Sequence, residues 1–323
     1  MTSQIYTPTQ LTAFYEHIGL PSPHRHAPGP SSAAVATDPS KGLAFLAALQ
    51  RYTLASMPFE NLDLHYSTHH AVSIDPEVLW EMVVQRREGR ATGAGRGGYC
   101  MQNNALFGYV LRGLGFEVLA TGPRIDAAVE GGDEKKYSGW SHMLNIVTIG
   151  DKRYGVDVGF GGGGPTHPLP LLHHNPQRNI GPTQVVRYSH IHLPSVSPSE
   201  DKLWVYEKQN HSSEDWKPMY CFPDNTSFTP ADFEVMNHWT STSPRSWFTR
   251  TVVCVKWEVD GDQVTGQRSV FGNTFNRVVE GETVDSRELE TEEQRIEVLE
   301  KWFGISLSEA EKRGIRGMGS ALA

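Results

Sequence analysis

The sequence predicts an α+β protein with helices in its first third and strands after them. Apolar residues recur at helical spacing between residue 1 and about residue 92. From about residue 116, short runs rich in β-branched and aromatic residues are separated by glycine, proline or charged turns. This pattern indicates a mainly antiparallel β unit. A third region, from about residue 226, combines a short helical stretch, further strands and a closing helix from near Glu290 through Trp302.

Helix starts in the N-terminal region share one pattern, a polar cap followed by proline at the first helical position. The three predicted starts are Thr7-Pro8, Asp38-Pro39 and Asp75-Pro76. The segments that follow present one apolar face, as at Leu43, Leu46 and Leu49. Between the first two helices, residues 21–33 are rich in proline and small residues, and we interpret them as a mobile surface insertion.

The predicted strands of the central region are FEVLAT, HMLNIVTI, RYGVDVGF, QVVRYSHIHL and LWVYEKQ. In the third region the helical stretch TPADFEVMN precedes the predicted strands TVVCVKWEVD, QVTGQRSVF and NTFNRVVEG. Each run has the β-branched and aromatic content that fits a pleated, half-buried surface.

Composition excludes several classes of function. The net charge of -8 is spread along 323 residues without a dense Lys/Arg block, which argues against nucleic acid and against an anionic membrane as partners. Because no apolar run approaches ~20 residues and the N-terminus lacks a signal-peptide pattern, we expect a cytoplasmic protein. The three cysteines form no C-x-x-C pair, so we expect free thiols and no thiolate metal site. The scattered histidines predict no metal site either.

Cys100 lies where a glycine-rich turn, GAGRGGY, runs into a segment with helical spacing. A thiol at a helix start lies beside unpaired backbone N–H groups, which favour an anion and can stabilise an oxyanion. A buried cysteine that acts as a small hydrophobe is the alternative. The glycines on both sides of Arg96 favour the reactive cysteine, because a structural cysteine does not need them.

His142 and Asp157 flank a predicted hairpin, SHMLNIVTIGDKRYGVDVGFG, with its turn at Gly150-Asp151. The hairpin brings its two ends to nearly opposite positions across the ladder. An aspartate beside a histidine can orient the imidazole and stabilise the imidazolium. Singly, each residue is also an ordinary polar strand or turn residue. The spacing therefore allows a Cys, His, Asp site without requiring one.

Five segments together resemble the arylamine N-acetyltransferase family: RGGYC with QNN, PFENLDLH at 58–65, SHMLNIV, DVGFG, and NHWTSTSPRSWFTR at 237–250. The resemblance covers most of the chain. It implies an N-terminal helical bundle, a central antiparallel β-barrel and a C-terminal α/β lid around a cysteine-protease-like core. The implied domains are 1–92 (helical bundle), 93–210 (β-barrel with the triad), 211–225 (interdomain segment) and 226–323 (lid).

The same resemblance implies roles for individual residues. Cys100 would be the acylated nucleophile, His142 its base and Asp157 the orienting carboxylate. The implied substrate and coenzyme A contacts are Phe59, Ser138, Gly139, Gly159, Phe160 and Gly161, and the implied structural support of the site is Arg96, Glu60 and Gln102. Gln102 replaces the glutamate of many bacterial members. Together with the insertion 21–33 and the segment 165–182, it suggests a eukaryotic, fungal variant.

The function implied is acyl transfer through an acyl-Cys100 intermediate in a ping-pong cycle. The donor would be an acyl-coenzyme A, with acetyl-coenzyme A expected first and propionyl or malonyl donors as alternatives. The acceptor would be an arylamine, arylhydroxylamine or arylhydrazine. Two other functions stay open: a thiol hydrolase or amidase with the same triad, and a non-catalytic binding protein of the same fold. The glycines at 159–164 lack the Gly-Lys-Ser/Thr ending of a phosphate loop.

Overall fold

The computed structural model describes residues 6–85, 95–133, 136–196 and 200–323. The helices of these ranges are α1 (Pro8–His17), α2 (Pro30–Ala36), α3 (Gly42–Ser56), α4 (Leu62–His65), α5 (Pro76–Val83), α6 (Cys100–Gly113), α7 (Pro230–Thr242), α8 (Glu292–Val298) and α9 (Glu309–Gly314). The strands are β1 (Phe59–Glu60), β2 (Glu117–Thr121), β3 (Arg124–Asp126), β4 (Tyr137–Trp140), β5 (Leu144–Ile149), β6 (Lys152–Val156), β7 (Leu169–Pro170), β8 (Gln177–Arg178), β9 (Val185–His192), β10 (Lys202–Gln209), β11 (Lys217–Phe222), β12 (Val253–Asp260), β13 (Gln263–Phe271), β14 (Thr274–Val279) and β15 (Glu282–Glu288). The predicted α+β class is confirmed.

The strands form three antiparallel sheets, and none of the three closes within the described ranges. Their orders are β2-β5-β6-β7, β4-β3-β11-β10-β9-β8 and β1-β12-β13-β14-β15. The first two sheets share an apolar core that includes Ile146 from one sheet and Tyr188, Tyr206 and Tyr220 from the other. A barrel requires hydrogen bonds between its first and last strands. The implied barrel is therefore corrected to two open sheets that share a core.

Two of the three predicted helix starts lie where the sequence predicts them. The Thr7 side chain accepts from Gln10 N at α1, and Asp75 accepts from Val78 N at α5. The third differs, because α3 begins at Gly42 and not at Pro39. The Asp38 carboxylate accepts from two backbone N–H groups, of residues 40 and 41, and this turn precedes the helix.

The insertion 21–33 is bonded to the first helix and to the residue before the insertion, and its predicted mobility stays a prediction. Its first half contains a 3-10 turn over Ser22–His24, and its end forms the start of α2. Arg25 Nε donates to Leu20 O over 2.6 Å, and Tyr15 Oη donates to His26 O over 3.0 Å. These bonds and the buried ring of Tyr15 attach the insertion to α1.

The predicted interdomain segment 211–225 contains an inner strand. Its residues Lys217–Phe222 form β11, which pairs with β10 on one side and β3 on the other. Pro218 cannot donate a ladder hydrogen bond, and it lies opposite Glu207, where the register shifts. A bulge is one of the few places where an inner strand tolerates proline. The predicted boundary between 92 and 93 lies outside the described residues, and the other domain boundaries stay predictions.

The buried cation Arg295 links the C-terminal residues to the end of α4 and to the turn between β13 and β14. Arg295 is fully buried; its Nε donates to Tyr66 Oη over 2.9 Å and its Nη2 to Ser320 O over 3.0 Å. Nη2 also pairs with Glu292 over 2.6 Å. The Ser320 hydroxyl lies 2.8 Å from His65 Nδ1. No helix of the described ranges is long and apolar enough to cross a membrane.

His65 makes the stability of this region dependent on pH. Burial chiefly lowers the pKa of His65 from 6.5 to about 4, with a smaller contribution from the Arg295 charge, while the hydrogen bond to Phe248 O works in the opposite direction. Because the depressed pKa belongs to the folded state, the stabilisation is present above pH 6.5 and is lost as the pH falls toward 4. We expect His65 to account for up to about 3 kcal/mol of that loss.

This expectation is tested by urea unfolding of the protein and of His65→Gln at about pH 7.5 and about pH 4.5. Glutamine keeps a donor and an acceptor but does not titrate. Between the higher and the lower pH, the free energy of unfolding should fall less for the variant than for the parent. Equal losses for the two proteins would contradict the assignment.

Candidate active site

Cys100 is the first residue of α6, as predicted, and its sulfur points toward the segment before His142. The side chain of Gln102 accepts from Tyr99 N over 3.1 Å, which satisfies one backbone donor at the helix start. Cys100 is 3% exposed, and its Sγ lies 3.6 Å from Ser141 O. The thiol is therefore placed between a helix N-terminus and the strand entry that carries the histidine.

The glycines before Cys100 allow the chain to run directly beside Pro58. A Cβ on Gly97 would lie 2.0 Å from Pro58 O, and a Cβ on Gly98 would lie 2.5 Å from the Gln102 side chain. Real Cβ atoms do not approach so closely. This contact continues as backbone hydrogen bonds from Gly98 N to Pro58 O and from Glu60 N to Gly98 O. The glycine pattern of the sequence thus reflects close packing just before Cys100.

His142 and Asp157 form a buried hydrogen-bonded pair. His142 Nε2 lies 2.7 Å from Asp157 Oδ2, and the residues are 2% and 1% exposed. The hairpin turn at Gly150 explains the approach, since β5 and β6 pair from Ile149↔Lys152 to Asn145↔Val156. His142 precedes the first strand by two residues, and Asp157 follows the second directly. The Asp157 carboxylate therefore engages Nε2 and leaves Nδ1 as the other ring nitrogen of His142.

The surroundings of His142 favour its charged form. Burial works against the imidazolium, but the Asp157 carboxylate and then the Cys100 thiol outweigh burial and raise the pKa of His142 to about 10.

Asn104, which the sequence analysis did not single out, connects α6 to the hairpin. Its Nδ2 donates to Asp157 Oδ1 over 2.8 Å and to Met143 O over 2.7 Å, and its Oδ1 accepts from Val158 N over 3.0 Å. Asp157 Oδ1 also accepts from Gly159 N over 2.9 Å. Residues i and i+4 lie on the same face of a helix. The position of Asn104, four residues after Cys100, was therefore the feature of the sequence that could have placed it at the site.

Gln50 was also missed, and it holds the backbone of Asp157 from the opposite side. This fully buried side chain of α3 donates through Nε2 to Asp157 O over 3.2 Å and to Pro165 O over 3.1 Å. It therefore links the helical region to both ends of the glycine-rich turn. A polar residue among apolar helical positions is a weak signal, since most such residues face solvent.

Aromatic rings and the glycine turn surround the pair. The Phe160 ring lies 5.4 Å from the His142 ring in edge contact. A Cβ on Gly159 would lie 2.8 Å from Cys100 Cα, and one on Gly161, whose φ is +77°, would lie 3.0 Å from the Phe59 ring. The structure thus brings two of the six predicted contact residues, Gly159 and Phe160, beside Cys100 and His142, and it places Gly161 against Phe59.

The other two predicted contacts, Ser138 and Gly139, lie on the edge strand β4. Ser138 Oγ is 2.8 Å from Ser141 Oγ, and Ser141 O faces the thiol. Gly139 is exposed, and a Cβ there would meet nothing within 4 Å. This strand therefore leads from the surface to the histidine. Its role in coenzyme A binding stays a prediction.

Arg96 and Glu60 form the predicted pair as a buried salt bridge. Arg96 Nε donates to Glu60 Oε1 over 2.8 Å and Nη2 to Asp63 Oδ1 over 2.8 Å, with Arg96 4% exposed. Burial opposes the charge, but Glu60 and Asp63 outweigh it and raise the pKa of Arg96. Glu60 Oε1 also accepts from Gly97 N over 3.3 Å, which attaches the glycine turn to β1.

We expect Arg96→Met to lower the free energy of unfolding by about 3–5 kcal/mol, because it leaves the buried Glu60 carboxylate without a cation to pair with. Urea unfolding measures the change. Arg153→Met is the matched control, since its partner Asp224 is partly exposed and the loss should stay below about 1 kcal/mol. A loss for Arg96→Met no greater than that of the control would contradict the prediction.

The other cysteines are buried in strands. Burial raises the pKa of Cys221 to about 12, and burial and the nearby Glu60 charge raise the pKa of Cys254. Both thiols stay protonated at neutral pH.

A thiol at a helix start, an imidazole and a carboxylate in contact are the groups that thiol-dependent acyl transfer uses. A model of the N-acetyltransferase family matches residues 42–312. The N-malonyltransferase FDB2 of Fusarium pseudograminearum is 35% identical over 328 residues, which span 96% of this chain and 92% of the relative.

Two solved structures share the fold. The arylamine N-acetyltransferase from Salmonella typhimurium superposes with a TM-score of 0.74 at 23% identity over 96% of this chain and 98% of that one. The Mycobacterium marinum enzyme in complex with CoA has a TM-score of 0.73 at 24% identity over 97% and 100% of the two chains. The chain belongs to the arylamine N-acetyltransferase family. It is an N-acyltransferase of that family, and the resemblance stated from its motifs is confirmed.

Proposed function

We propose that this protein transfers a short acyl group from acyl-coenzyme A to the nitrogen of an arylamine, arylhydroxylamine or arylhydrazine through a thioester on Cys100. The buried, hydrogen-bonded pair of His142 and Asp157, with Cys100 Sγ against the backbone oxygen of the residue before His142, carries the proposal. Malonyl-coenzyme A takes the place of acetyl-coenzyme A as the first donor to test, because the relative matched over 96% of this chain is an N-malonyltransferase.

In the first half-reaction the Cys100 thiolate attacks the thioester carbonyl. Backbone N–H groups at the start of α6 lie where they can stabilise the resulting oxyanion. The carbon–sulfur bond to coenzyme A breaks, and the leaving thiolate takes the proton from His142. Asp157 stays ionised and keeps Nε2 of the imidazole oriented throughout.

In the second half-reaction the neutral amine attacks the acyl-Cys100 carbonyl. The new amide forms as the bond to sulfur breaks, and His142 accepts the proton that the nitrogen releases. The thiolate and the imidazolium are then restored. Phe59 and Phe160 are proposed to hold the aromatic acceptor and to limit water near the thioester.

The test is a donor panel of malonyl-, acetyl- and propionyl-coenzyme A with p-toluidine, read by thiol release and by mass spectrometry of the amide. Intact mass without acceptor should show one acyl adduct. Thiol release without amide would identify a hydrolase instead. A protein without adduct and without thiol release would be a binding protein of this fold.

A further inference from the structure

A second polar feature lies beside the site, on the strand that precedes the histidine segment. Arg124 is the first residue of β3, paired with Trp140 on one side and Cys221 on the other. Its guanidinium lies over the Trp140 ring, 3.7 Å from the ring centroid, and Nη1 donates to Ser138 O over 3.2 Å. Trp140 is 37% exposed, so the pair lies at the surface end of β4.

The charge of Arg124 is not compensated within the ranges that the structure describes. The bond to Ser138 O is its one side-chain hydrogen bond there, and Nε is buried without a partner. No carboxylate of those ranges pairs with it, whereas Arg96 has Glu60 and Asp63. A buried N–H group without a partner costs about 1–3 kcal/mol. A stacked guanidinium in this state is prepared to receive an anion.

The residue before Arg124, Pro123, sets the position of Arg124 relative to the Cys100 thiol. Pro123 O accepts from Ser141 N over 3.2 Å and from His142 N over 3.3 Å. Ser141 O is in turn 3.6 Å from Cys100 Sγ. The strand that carries Arg124 therefore begins against the histidine segment, and its guanidinium contacts the strand predicted to meet the acyl donor.

We propose that Arg124, supported by Trp140, binds an oxyanion of the acyl donor, and the proposal rests on the proposed function. The anion is either the free carboxylate of a malonyl group or a phosphate of coenzyme A. The planar N–H groups of arginine suit both, because carboxylate and phosphate oxygens accept charge-assisted hydrogen bonds in the same geometry.

The experiment compares Arg124→Gln with the parent on four donors: malonyl-coenzyme A, acetyl-coenzyme A, and the malonyl and acetyl thioesters of N-acetylcysteamine, which carry no phosphate. Arg112→Gln is the matched control, since Arg112 is also a partly buried arginine with one bond to a backbone oxygen, Val118 O. Thermal unfolding of each variant shows whether the fold is kept.

We expect the KM for malonyl-coenzyme A to rise about tenfold or more in Arg124→Gln, with kcat changed little. If the anion is the acyl carboxylate, the KM for the malonyl thioester rises as well and the KM for acetyl-coenzyme A does not. If it is a phosphate, both coenzyme A donors lose affinity and both short thioesters are unaffected. Arg124→Lys should recover part of the lost affinity, because lysine keeps the positive charge. The recovery should be incomplete, because lysine lacks the paired, planar N–H groups of arginine.

A KM within about twofold of the parent for all four donors would overturn the inference, as would an equal change for all four, which indicates a structural role. A parent protein that is acylated by none of the four donors refutes the proposed function itself. An active parent with an unaffected Arg124→Gln refutes only the Arg124 site.

Discussion

Cys100→Ala should lower turnover by roughly 10⁴-fold or more and abolish the acyl adduct in intact mass. The reason is chemical, because no other thiol among the described residues lies beside a protonated imidazole. Steady-state kinetics with malonyl-coenzyme A and an arylamine measure the first effect, and mass spectrometry measures the second.

Cys221→Ala and Cys254→Ala are matched controls, because each removes one sulfur from a strand. Both should keep turnover within a few fold of the parent. Cys254→Ala should lower the free energy of unfolding by about 1–2 kcal/mol, since its side chain is fully buried in the apolar cluster that contains Val270 and Phe275. An adduct that persists on Cys100→Ala, or that maps to Cys221 or Cys254, would contradict the assignment of the nucleophile.

Asp157→Asn should lower kcat/KM by roughly 10³–10⁴-fold without unfolding the protein. The asparagine oxygen can still accept from Asn104 and Gly159, so its amide N–H₂ would face His142 Nε2. That nitrogen then becomes an acceptor, and the proton moves to the nitrogen facing the sulfur, where a base is needed. Loss of the carboxylate also lowers the pKa of His142 from about 10, so the imidazolium is lost at lower pH.

The pH dependence of Cys100 alkylation separates loss of the Asp157 carboxylate from a general disturbance of the fold. Alkylation of Cys100 by iodoacetamide should lose its imidazolium-dependent component at a lower pH in Asp157→Asn than in the parent. Asp224→Asn, which weakens the surface pair with Arg153, is the control and should leave the profile unchanged. A fall in kcat/KM of less than about tenfold, or a profile identical to that of the parent, would exclude Asp157 from the proposed role.

The predicted parts of the candidate site are those that local sequence determines. A glycine turn followed by helical spacing placed Cys100 at the start of α6, and a two-residue turn at Gly150 brought His142 to Asp157. Both depend on contacts within a few residues or across one hairpin. The Arg96 and Glu60 pair was accessible only through resemblance, because 36 residues separate its members.

The missed and corrected parts depend on how distant elements pack. Gln50 bonds to the Asp157 backbone only because α3 lies against the hairpin, and Asn104 reaches it across the helix–sheet contact. The implied barrel depended on pairing between strand edges, which hydrophobic alternation does not specify. Lys217–Phe222 was not among the predicted strands, and its place between two strands, with a register shift opposite Pro218, is likewise a tertiary feature.

By itself the sequence determined the α+β class, two of the three N-terminal helix starts, the helix start at Cys100 and the hairpin beside it, since these follow from periodicity, caps and turns. Tertiary structure decided that the sheets stay open, that Gln50 and Asn104 hold Asp157, and that Arg124 faces no carboxylate within the described ranges. The physical reason is that burial and hydrogen-bond partners are settled by which surfaces meet. The order of residue types along the chain does not specify which surfaces pack together.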